Sequence, residues 1–435
     1  MKEYNCDLHF HGLYSGGVSK NMLLPVIAEQ AKMKGLDVCG TADITHAKWL
    51  AHVKENIVEE ENGVFKAKNS ETNFIVQTEI QCSDLVHNLV FLPDLASAET
   101  LREKLKNFGI LDSWGCGRPR LRLSSKTLAE IVFDLHGFTG PAHAFTPYYS
   151  VYAHFDSMEK CYGELAKKIP FIELGLSADS YFADLIKDNH NYQFLTNSDS
   201  HSPWPHRIGR EFTRIKMKKP SFSELEKALR EKEEALVTLN AGLDPREGKY
   251  HRTACNACFK KYSMEQAVQL KWKCGCGGAI KKGVHDRILE LAKSNEETHP
   301  QFRPKYLHLL SLAEIIQLSI GARLVENNEV QALWKKFVSA FGNEISALVD
   351  AEEKELLAVD EKIAENILLF RKGFVQYAPG GGGDYGKPFI CRTEEECERI
   401  GKEIEKNLNF SFPEKTGKKQ KVPPAEKKQK TLEDF

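Results

Sequence analysis

The first 240 residues alternate short apolar runs with amphipathic segments. Two of these segments, Met22–Met33 and Lys126–Leu135, place their apolar residues on one face at helical spacing, and Ser125 is predicted to cap the second helix. Strands are predicted for the apolar runs, which are Leu36–Gly40, Phe74–Val76, Leu89–Leu92, Phe171–Leu174 and Tyr192–Leu195. Strands that alternate with helices predict a parallel α/β fold, either a barrel or an open sheet.

After residue 240 the pattern divides the chain into three further segments. Residues 241–285 contain a cysteine cluster, and residues 286–410 show mostly helical periodicity. Residues 411–435 are rich in lysine and proline without apolar periodicity, so this segment is predicted to be disordered. Helices are predicted for Asp286–Ala292, Leu309–Leu318 and Val330–Phe341, and a turn or loop for Gly380–Gly383.

Composition places the chain among soluble proteins of two or more domains. It has 435 residues, 41% of them hydrophobic, which is enough for real cores, while a net charge of -1 says little about partners. No apolar run is long enough to cross a membrane, and the start is too polar for a signal peptide. Eleven cysteines, four of them close together, indicate a reducing compartment and one metal cluster rather than a disulfide scaffold. We therefore expect a cytoplasmic, nucleoid-associated monomer.

Histidines and carboxylates stand at or near the ends of the apolar runs. His9 and His11, two residues apart on an extended segment, point the same way. Functional side chains of α/β barrels gather where strands end, and a set of this kind is typical of two or three zinc, manganese, magnesium or iron ions. Any single member could instead be a core histidine or a loop carboxylate, as we expect for His46, His136, His154 and His206. The candidate ligands are His9, His11, Asp43, Glu79, His87, His143, Asp199 and His201.

This ligand set indicates hydrolysis of a phosphoester by metal-activated water. Adjacent divalent ions lower the pKa of water towards ~7 and neutralise charge that develops on a phosphoryl group. An extended segment would turn Asp199 and His201 towards the same cluster, and Glu79 would bridge to a second ion. The sequence contains no nucleophile elbow, phosphate-binding loop or dinucleotide fingerprint. The candidate catalytic residues are therefore Asp199, Glu79, His9 and His11.

The order of these motifs resembles the PHP (polymerase and histidinol phosphatase) superfamily over residues 1–240. That resemblance implies a distorted (βα)₇ barrel with a trinuclear metal site. The chain departs from the family at Thr41-Ala42-Asp43, where many members have Thr-Asp-His, and at Gly12–Ser15, where many have a further histidine. The third metal position is therefore the least well supported.

Four cysteines predict a zinc ribbon. Cys255-x₂-Cys258 and Cys274-x-Cys276, fifteen residues apart, have the spacing of a tetrahedral four-thiolate zinc site. The ribbon is expected to be structural because four thiolates close the coordination sphere. Its lysines, which contact phosphates or form a solvated face, are Lys260, Lys261, Lys271, Lys273, Lys281 and Lys282.

The last seven residues resemble the peptide by which client proteins bind the sliding clamp PCNA. Leu432 and Phe435 would share one face of a helical turn and fill an apolar pocket, while Gln429 would reach a polar one. The usual motif ends in two aromatic residues, and this one ends in a single aromatic residue.

Two aromatic loops adjoin the candidate ligands and are candidates for DNA contact. The first carries Tyr148 and Tyr149, and the second carries Trp204 with Arg207 and Arg210. Exposed aromatic rings stack on extruded bases and arginines bind phosphates, although the same aromatics could also pack as a lid. A second basic stretch of lower specificity holds Arg118, Arg120 and Arg122.

Nearly the whole chain resembles the archaeal endonuclease Q family. That resemblance implies a repair endonuclease that cuts DNA 5′ of uracil, hypoxanthine, xanthine and abasic sites, in double or single strands. Two alternatives stay open: a PHP phosphomonoesterase acting on a small metabolite, and a non-enzymatic DNA-binding adaptor with a zinc ribbon. The stretches that carry the resemblance are Gly40–Asp43 with Trp49, His201–Glu211, Gly242–Tyr250 and Lys281–Val284.

Overall fold

The computed structural model describes residues 1–61, 63–68, 70–292 and 298–408. The segment predicted to be disordered, 411–435, lies outside the described residues, together with the clamp-binding candidates Gln429, Leu432 and Phe435. No helix in the described part of the chain is long and apolar enough to cross a membrane.

The predicted α/β class is confirmed by a ten-stranded sheet with helices packed against it, but the predicted parallel arrangement is wrong because the sheet is mixed. Parallel pairing joins β1 to β2 and β2 to β5, whereas β10 runs antiparallel beside β1. From β5 the sheet continues antiparallel into β6 and then β7. The strands are β1 (Lys2–Asp7), β2 (Val38–Gly40), β3 (Ile57–Glu61), β4 (Val64–Ala67), β5 (Asn73–Gln81), β6 (His87–Leu92), β7 (Phe138–Pro141), β8 (Phe171–Glu173), β9 (Gln193–Leu195), β10 (Phe212–Met217), β11 (Val237–Gly242), β12 (Ala254–Cys255), β13 (Ile280–Lys281), β14 (Lys305–His308), β15 (Val375–Ala378) and β16 (Lys387–Ile390).

The short parallel pair β8–β9 lies between β7 and β10. On the β7 side, the Ala144 N–H donates to the carbonyl of Glu173 over 2.8 Å. On the β10 side, the Thr196 hydroxyl donates to the carbonyl of Phe212 over 2.6 Å. These bonds bring the ends of β8 and β9 next to the ends of β1 and β7, where the candidate ligands lie.

The helices pack their apolar residues against the sheet and against one another. The prediction that Ser125 caps α4 is wrong: the Ser124 hydroxyl accepts the Thr127 N–H, and Ser125 binds Asp84 through both its N–H and its hydroxyl. The helices are α1 (Leu24–Lys34), α2 (Ala47–Asn56), α3 (Leu95–Leu105), α4 (Ser125–Asp134), α5 (Val151–His154), α6 (Met158–Tyr162), α7 (Ser180–Asp184), α8 (Phe222–Arg230), α9 (Met264–Gln269), α10 (Val284–Leu291), α11 (Leu312–Ile320), α12 (Asn328–Phe341), α13 (Glu353–Val359), α14 (Glu361–Arg371) and α15 (Glu394–Leu408).

The segment after residue 285 is mostly helical, and part of it belongs to the central sheet. Strand β14 pairs in parallel with β11, so the chain returns to the sheet beyond the predicted boundary. Helices α10, α11 and α12 overlap the three predicted helices, and Gly380–Gly383 lies between β15 and β16 as a loop. The domain boundaries themselves stay a prediction.

A buried ion pair fastens the C-terminal helices to α1. The Lys34 ammonium lies 2.7 Å from a carboxylate oxygen of Glu344, and the side chains are 2% and 0% exposed. Lys34 also donates to the carbonyl of Pro205 over 2.8 Å, and Glu344 accepts the indole N–H of Trp334 over 2.7 Å. Because a buried charge is costly unless it is paired, this contact strongly favours one arrangement of these elements.

One local disulfide differs from the expectation of a metal cluster without disulfides. Cys391 and Cys397 are paired, six residues apart. The first turn of α15 brings the second cysteine back over the end of β16. The spacing of cysteines in the sequence does not predict a disulfide that closes so short a loop.

Candidate metal centre

The structure brings the candidate ligands together from strands that are distant in the sequence. His9 and His11 follow β1, Glu79 lies within β5, and His87 is the first residue of β6. His143 follows β7, Asp43 follows β2, and Asp199 and His201 follow β9. Except for Asp199 and His201, which are partly exposed, all of these residues are buried.

The first group of ligand atoms consists of His9, His11 and Asp199, whose atoms lie within 4.8 Å of one another. The Asp199 Oδ1 atom is 3.5 Å from His9 Nε2 and 3.2 Å from His11 Nε2. All three atoms are buried and have no hydrogen-bond partner. Zinc with ligands at about 2.0–2.2 Å in tetrahedral geometry would hold such atoms roughly 3.4 Å apart, so this group fits a metal ion.

The second group consists of Glu79, His87 and His143. Glu79 Oε1 lies 2.9 Å from His87 Nδ1 and 3.0 Å from His143 Nε2. The other oxygen of the same carboxylate, Oε2, lies 3.3 Å from His11 Nε2 in the first group. Glu79 is therefore placed to bridge two ions.

Two carboxylates hold the histidines of the first group from outside. Glu173 lies 3.0 Å from His9 Nδ1, and Asp43 lies 3.1 Å from His11 Nδ1. Each carboxylate favours the histidine tautomer in which Nδ1 carries the proton, and this leaves Nε2 of that histidine free to bind a metal. Asp43 was predicted as a ligand and in the structure contacts the outer nitrogen of His11, so a ligand role for it stays a prediction.

Sequence reasoning missed Glu173 and undervalued Arg118. Glu173 lies within the predicted strand Phe171–Leu174 and is the last residue of β8, so a carboxylate inside an apolar run is the available signal. Arg118 donates to Glu79 Oε2 over 3.1 Å, and its side chain is 27% exposed. The sequence places it only in a basic stretch of lower specificity, with Arg120 and Arg122. The structure places Arg118 beside Glu79, within the metal centre.

The predicted extended segment at Asp199 is wrong. Asp199 has a φ of 45°, in the left-handed region that non-glycine residues rarely adopt, and the ligand His143 has a φ of 27°. His201 contacts the backbone carbonyl of Asp199 over 3.0 Å, and its ring centre lies 4.6 Å from that of His11. Uncommon backbone conformations of this kind cluster at functional sites. His201 belongs to neither group of three, and a third ion stays a prediction.

The electrostatics of the centre favour cations. Burial lowers the pKa of His11, but the charges and hydrogen bonds of Asp43, Asp199 and Glu79 outweigh it and raise the pKa to about 10. Burial lowers the pKa of His87 to about 4, so this ring is neutral and available as a ligand at neutral pH. A site that attracts protons this strongly also attracts divalent ions, which displace those protons on binding.

Two of the DNA-contact candidates, Tyr149 and Arg210, lie beside this centre. Tyr149 stacks on the ligand His87 with ring centres 5.0 Å apart, and it is 37% exposed. Tyr148 and Trp204 are 39% and 41% exposed, and Arg207 is exposed as well. Arg210 is half-buried and donates to the carbonyl of Ser198 over 3.3 Å, beside Asp199.

The four cysteines form a separate group with the dimensions of a zinc site. The Sγ atoms of Cys255 and Cys276 lie 3.6 Å apart, as do those of Cys258 and Cys274. Tetrahedral thiolates at about 2.3 Å from zinc would be roughly 3.8 Å apart, so these residues fit the ion. Gly278 is required here because a Cβ atom would lie 2.6 Å from the sulfur of Cys255.

Comparisons with known proteins agree with this arrangement. The crystal structure of the lesion-specific endonuclease PfuEndoQ from Pyrococcus furiosus superposes with a TM-score of 0.83 at 42% identity, over 92% of this chain and 99% of that one. A structure of endonuclease Q with a 27-mer duplex bearing an abasic lesion at its active site also gives a TM-score of 0.83 at 42% identity, over 91% of this chain and 98% of that one.

The chain belongs to the endonuclease Q family.

Two uncharacterized proteins are also similar to this chain in sequence. An uncharacterized protein of Bacillus subtilis, YqxK, is 32% identical over 419 residues, 89% of this chain and 99% of that protein. The uncharacterized protein MJ0043 of Methanocaldococcus jannaschii is 46% identical over 256 residues, 57% of this chain. The match spans 32% of that longer protein. Residues 311–374 match the family described as the MJ0043 C-terminal domain, so the endonuclease Q fold here includes that helical unit.

Proposed function

We propose that this protein is a metal-dependent DNA repair endonuclease that hydrolyses the phosphodiester 5′ of deaminated bases (uracil, hypoxanthine and xanthine) and of abasic sites. The observation that carries this proposal is the pair of ligand groups that share Glu79. Membership of the endonuclease Q family adds support, because one relative holds a duplex with an abasic lesion at its active site.

Two or three divalent ions, zinc, manganese or magnesium, would occupy the barrel centre, with one structural zinc in the ribbon. Bound there, the ions would lower the pKa of a water and neutralise charge on the phosphate. Hydrogen bonds from His9 and His11 to Glu173 and Asp43 keep the ligand nitrogens aimed at the centre. The Asp199 side chain is 27% exposed and therefore lies on the side of the site that a substrate can reach.

Arg118 is the cation of this chain best placed to meet the scissile phosphate. Its guanidinium is held by Glu79 over 3.1 Å, yet more than a quarter of the side chain faces solvent. A guanidinium has five donors and can keep the carboxylate while it binds a phosphate oxygen. It would stabilise the charge that develops on the leaving group or on the non-bridging oxygens.

The finer assignments from the sequence are part of the same proposal. The strands adjoin one another in the order β1, β2, β5, β6, β7, β8, β9 and β10, and β10 pairs again with β1. This order supports a distorted (βα)₇ barrel of the PHP type. We propose damaged DNA as the substrate, double- or single-stranded, and a cytoplasmic, nucleoid-associated monomer that docks on PCNA through its C-terminal peptide. Removing Gln429–Phe435 should abolish clamp binding and leave basal nicking intact. Equal clamp affinity with and without the peptide would refute the docking.

The decisive experiment is Asp199→Asn, which keeps the side-chain shape and removes the charge from the first ligand group. Single-turnover nicking of a duplex with one uracil should fall by ~10³-fold or more, which corresponds to ~4 kcal/mol of transition-state stabilisation. Binding to the same duplex, measured by gel shift, should survive because phosphate contacts come from other residues.

The matched control is Asp350→Asn, an aspartate that pairs with Arg214 at the surface and should nick like the parent. A metal count separates the alternatives: an adaptor would hold about one zinc, and an enzyme about three or four ions. If Asp199→Asn nicks within a few-fold of the parent, the metal assignment is wrong. A parent that hydrolyses phosphomonoesters and leaves every lesion duplex intact would overturn the endonuclease proposal.

A further inference from the structure

A series of four tyrosines and two lysines, drawn from four separate stretches of the chain, leads away from the metal centre. The series starts at Tyr149, which lies parallel to His87 with an angle of 4° between the rings. We define this aromatic–lysine ladder by six residues: Tyr149, Tyr148, Lys281, Tyr250, Lys249 and Tyr385.

Side-chain contacts join five members of the ladder, and Tyr149 is linked to them as the chain neighbour of Tyr148. The Lys281 ammonium lies 4.5 Å from the ring centre of Tyr148, and the Tyr148 and Tyr250 ring centres are 5.2 Å apart. The Lys249 ammonium lies 5.4 Å from the Tyr250 ring and 5.7 Å from the Tyr385 ring. The ladder therefore continues from the second ligand group to the loop between β15 and β16.

Backbone hydrogen bonds hold the segments of the ladder in place. The Val284 N–H, just after the ribbon strand β13, donates to the carbonyl of Tyr250 over 2.9 Å, and the Gly383 N–H donates to the carbonyl of Lys249 over 2.9 Å. The Gly386 N–H, next to Tyr385, donates to the carbonyl of Glu247 over 2.9 Å. A surface that is built from fixed backbone binds without the cost of ordering that backbone.

The rings of the ladder are more exposed than packing requires. Tyr149, Tyr148 and Tyr385 are 37%, 39% and 55% exposed, so part of each ring is open to solvent. Lysine ammonium groups next to exposed aromatic rings are typical of a surface that binds a nucleic-acid strand, because bases stack on the rings and phosphates pair with the cations. The acidic neighbour, Asp384, lies near Lys261 of the ribbon and is countered by it.

We propose that the ladder binds an unpaired stretch of the substrate strand, on the order of three nucleotides with one for each exposed tyrosine, immediately beside the scissile phosphate. Bases within a paired duplex stack on one another and offer no face to a tyrosine, so an intact duplex cannot use this surface. This inference rests on the proposed endonuclease function and adds to it that the strand is opened on one side of the lesion. The zinc ribbon then takes part in substrate binding through Lys281.

The test compares three uracil duplexes by fluorescence anisotropy: one fully paired, one with three mismatches 5′ of the lesion and one with three mismatches 3′ of it. The parent should bind one mismatched duplex at least about five-fold more tightly than the paired one. Tyr385→Ala should remove that gain, whereas Tyr385→Phe, which keeps the aromatic face, should retain it. Lys281→Gln should lower the slope of log Kd against log salt by about 0.7.

Two controls make the outcome specific. Tyr181→Ala removes a tyrosine of equal exposure (38%) on α7, outside the ladder, and Lys354→Gln removes an exposed lysine on α13. Both variants should bind as the parent does. The proposal is overturned if mismatches on neither side tighten binding, or if Tyr385→Phe and Tyr385→Ala lose affinity equally. A parent that neither binds nor nicks any of the three duplexes would instead refute the endonuclease function on which the ladder rests.

Discussion

Glu173→Gln tests how the metal centre is held together. The Glu173 carboxylate contacts His9 Nδ1 with both oxygens at 3.0 Å. Its Oε1 accepts the Asn197 side-chain N–H over 2.8 Å, and its Oε2 accepts the backbone N–H of His143 over 2.7 Å. One carboxylate thus supports a ligand from each group.

An amide cannot reproduce these contacts. Its NH₂ must face either the His143 N–H or the Asn197 amide, and a donor that meets a donor in a buried site costs about 1–3 kcal/mol. Gln can also donate to His9 Nδ1, which moves the ring proton to Nε2 and blocks the metal-binding atom. Loss of such a supporting carboxylate lowers metal affinity by about 10–100-fold.

The assay is metal retention in graded concentrations of chelator, followed by uracil-duplex nicking as a function of added metal. Glu173→Gln should lose the metal of the two ligand groups at about 10–100-fold lower chelator concentration than the parent, and excess metal should restore part of its activity. The matched control is Glu211→Gln, which changes another fully buried glutamate that accepts the Leu243 N–H and touches neither ligand group. If Glu173→Gln holds metal as tightly as the parent, the supporting role is refuted.

Three further predictions concern stability. Cys255→Ser should release the ribbon zinc and lower both the melting temperature and the DNA affinity, because structural zinc contributes directly to folding. Cys116→Ser is the control, and a Cys255→Ser protein with unchanged melting and DNA binding would contradict a structural role for the ribbon. Lys34→Met should lower the free energy of unfolding in urea by about 3–5 kcal/mol, since it leaves Glu344 charged and buried. Adding Glu344→Gln should recover part of that loss, and equal stability of Lys34→Met and the parent would show that the pair is not buried in solution. Burial raises the pKa of Glu211 from its usual value of 4.5 to about 8, so stability falls as pH rises between these values while only the unfolded chain ionises. The free energy of unfolding of Glu211→Gln should match that of the parent near pH 5 and exceed it near pH 8 by up to about 4 kcal/mol, and a pH-independent difference would contradict this.

The parts of the site that follow local patterns could be predicted from the sequence. His9 and His11 are neighbours on one extended segment, and the four cysteines lie within a short stretch, so spacing alone indicates that each set can share an ion. The five apolar runs became strands because a buried strand needs only a short stretch of apolar residues. The cap of α4 was misplaced by one residue, since Ser124 and Ser125 are equivalent until Asp84 binds one of them.

The tertiary structure decided everything that depends on distant segments. Glu173 has no motif, and only the packing of β8 beside β7 and β9 places it between two ligands. Asp199 adopts a left-handed conformation that its surroundings impose, and Arg118 reaches Glu79 from a loop without a pattern of its own. The ladder draws residues from four separate stretches that meet only in the folded chain. Sequence periodicity reports which face of an element is buried, whereas the identity of the neighbour across that face is set by the fold.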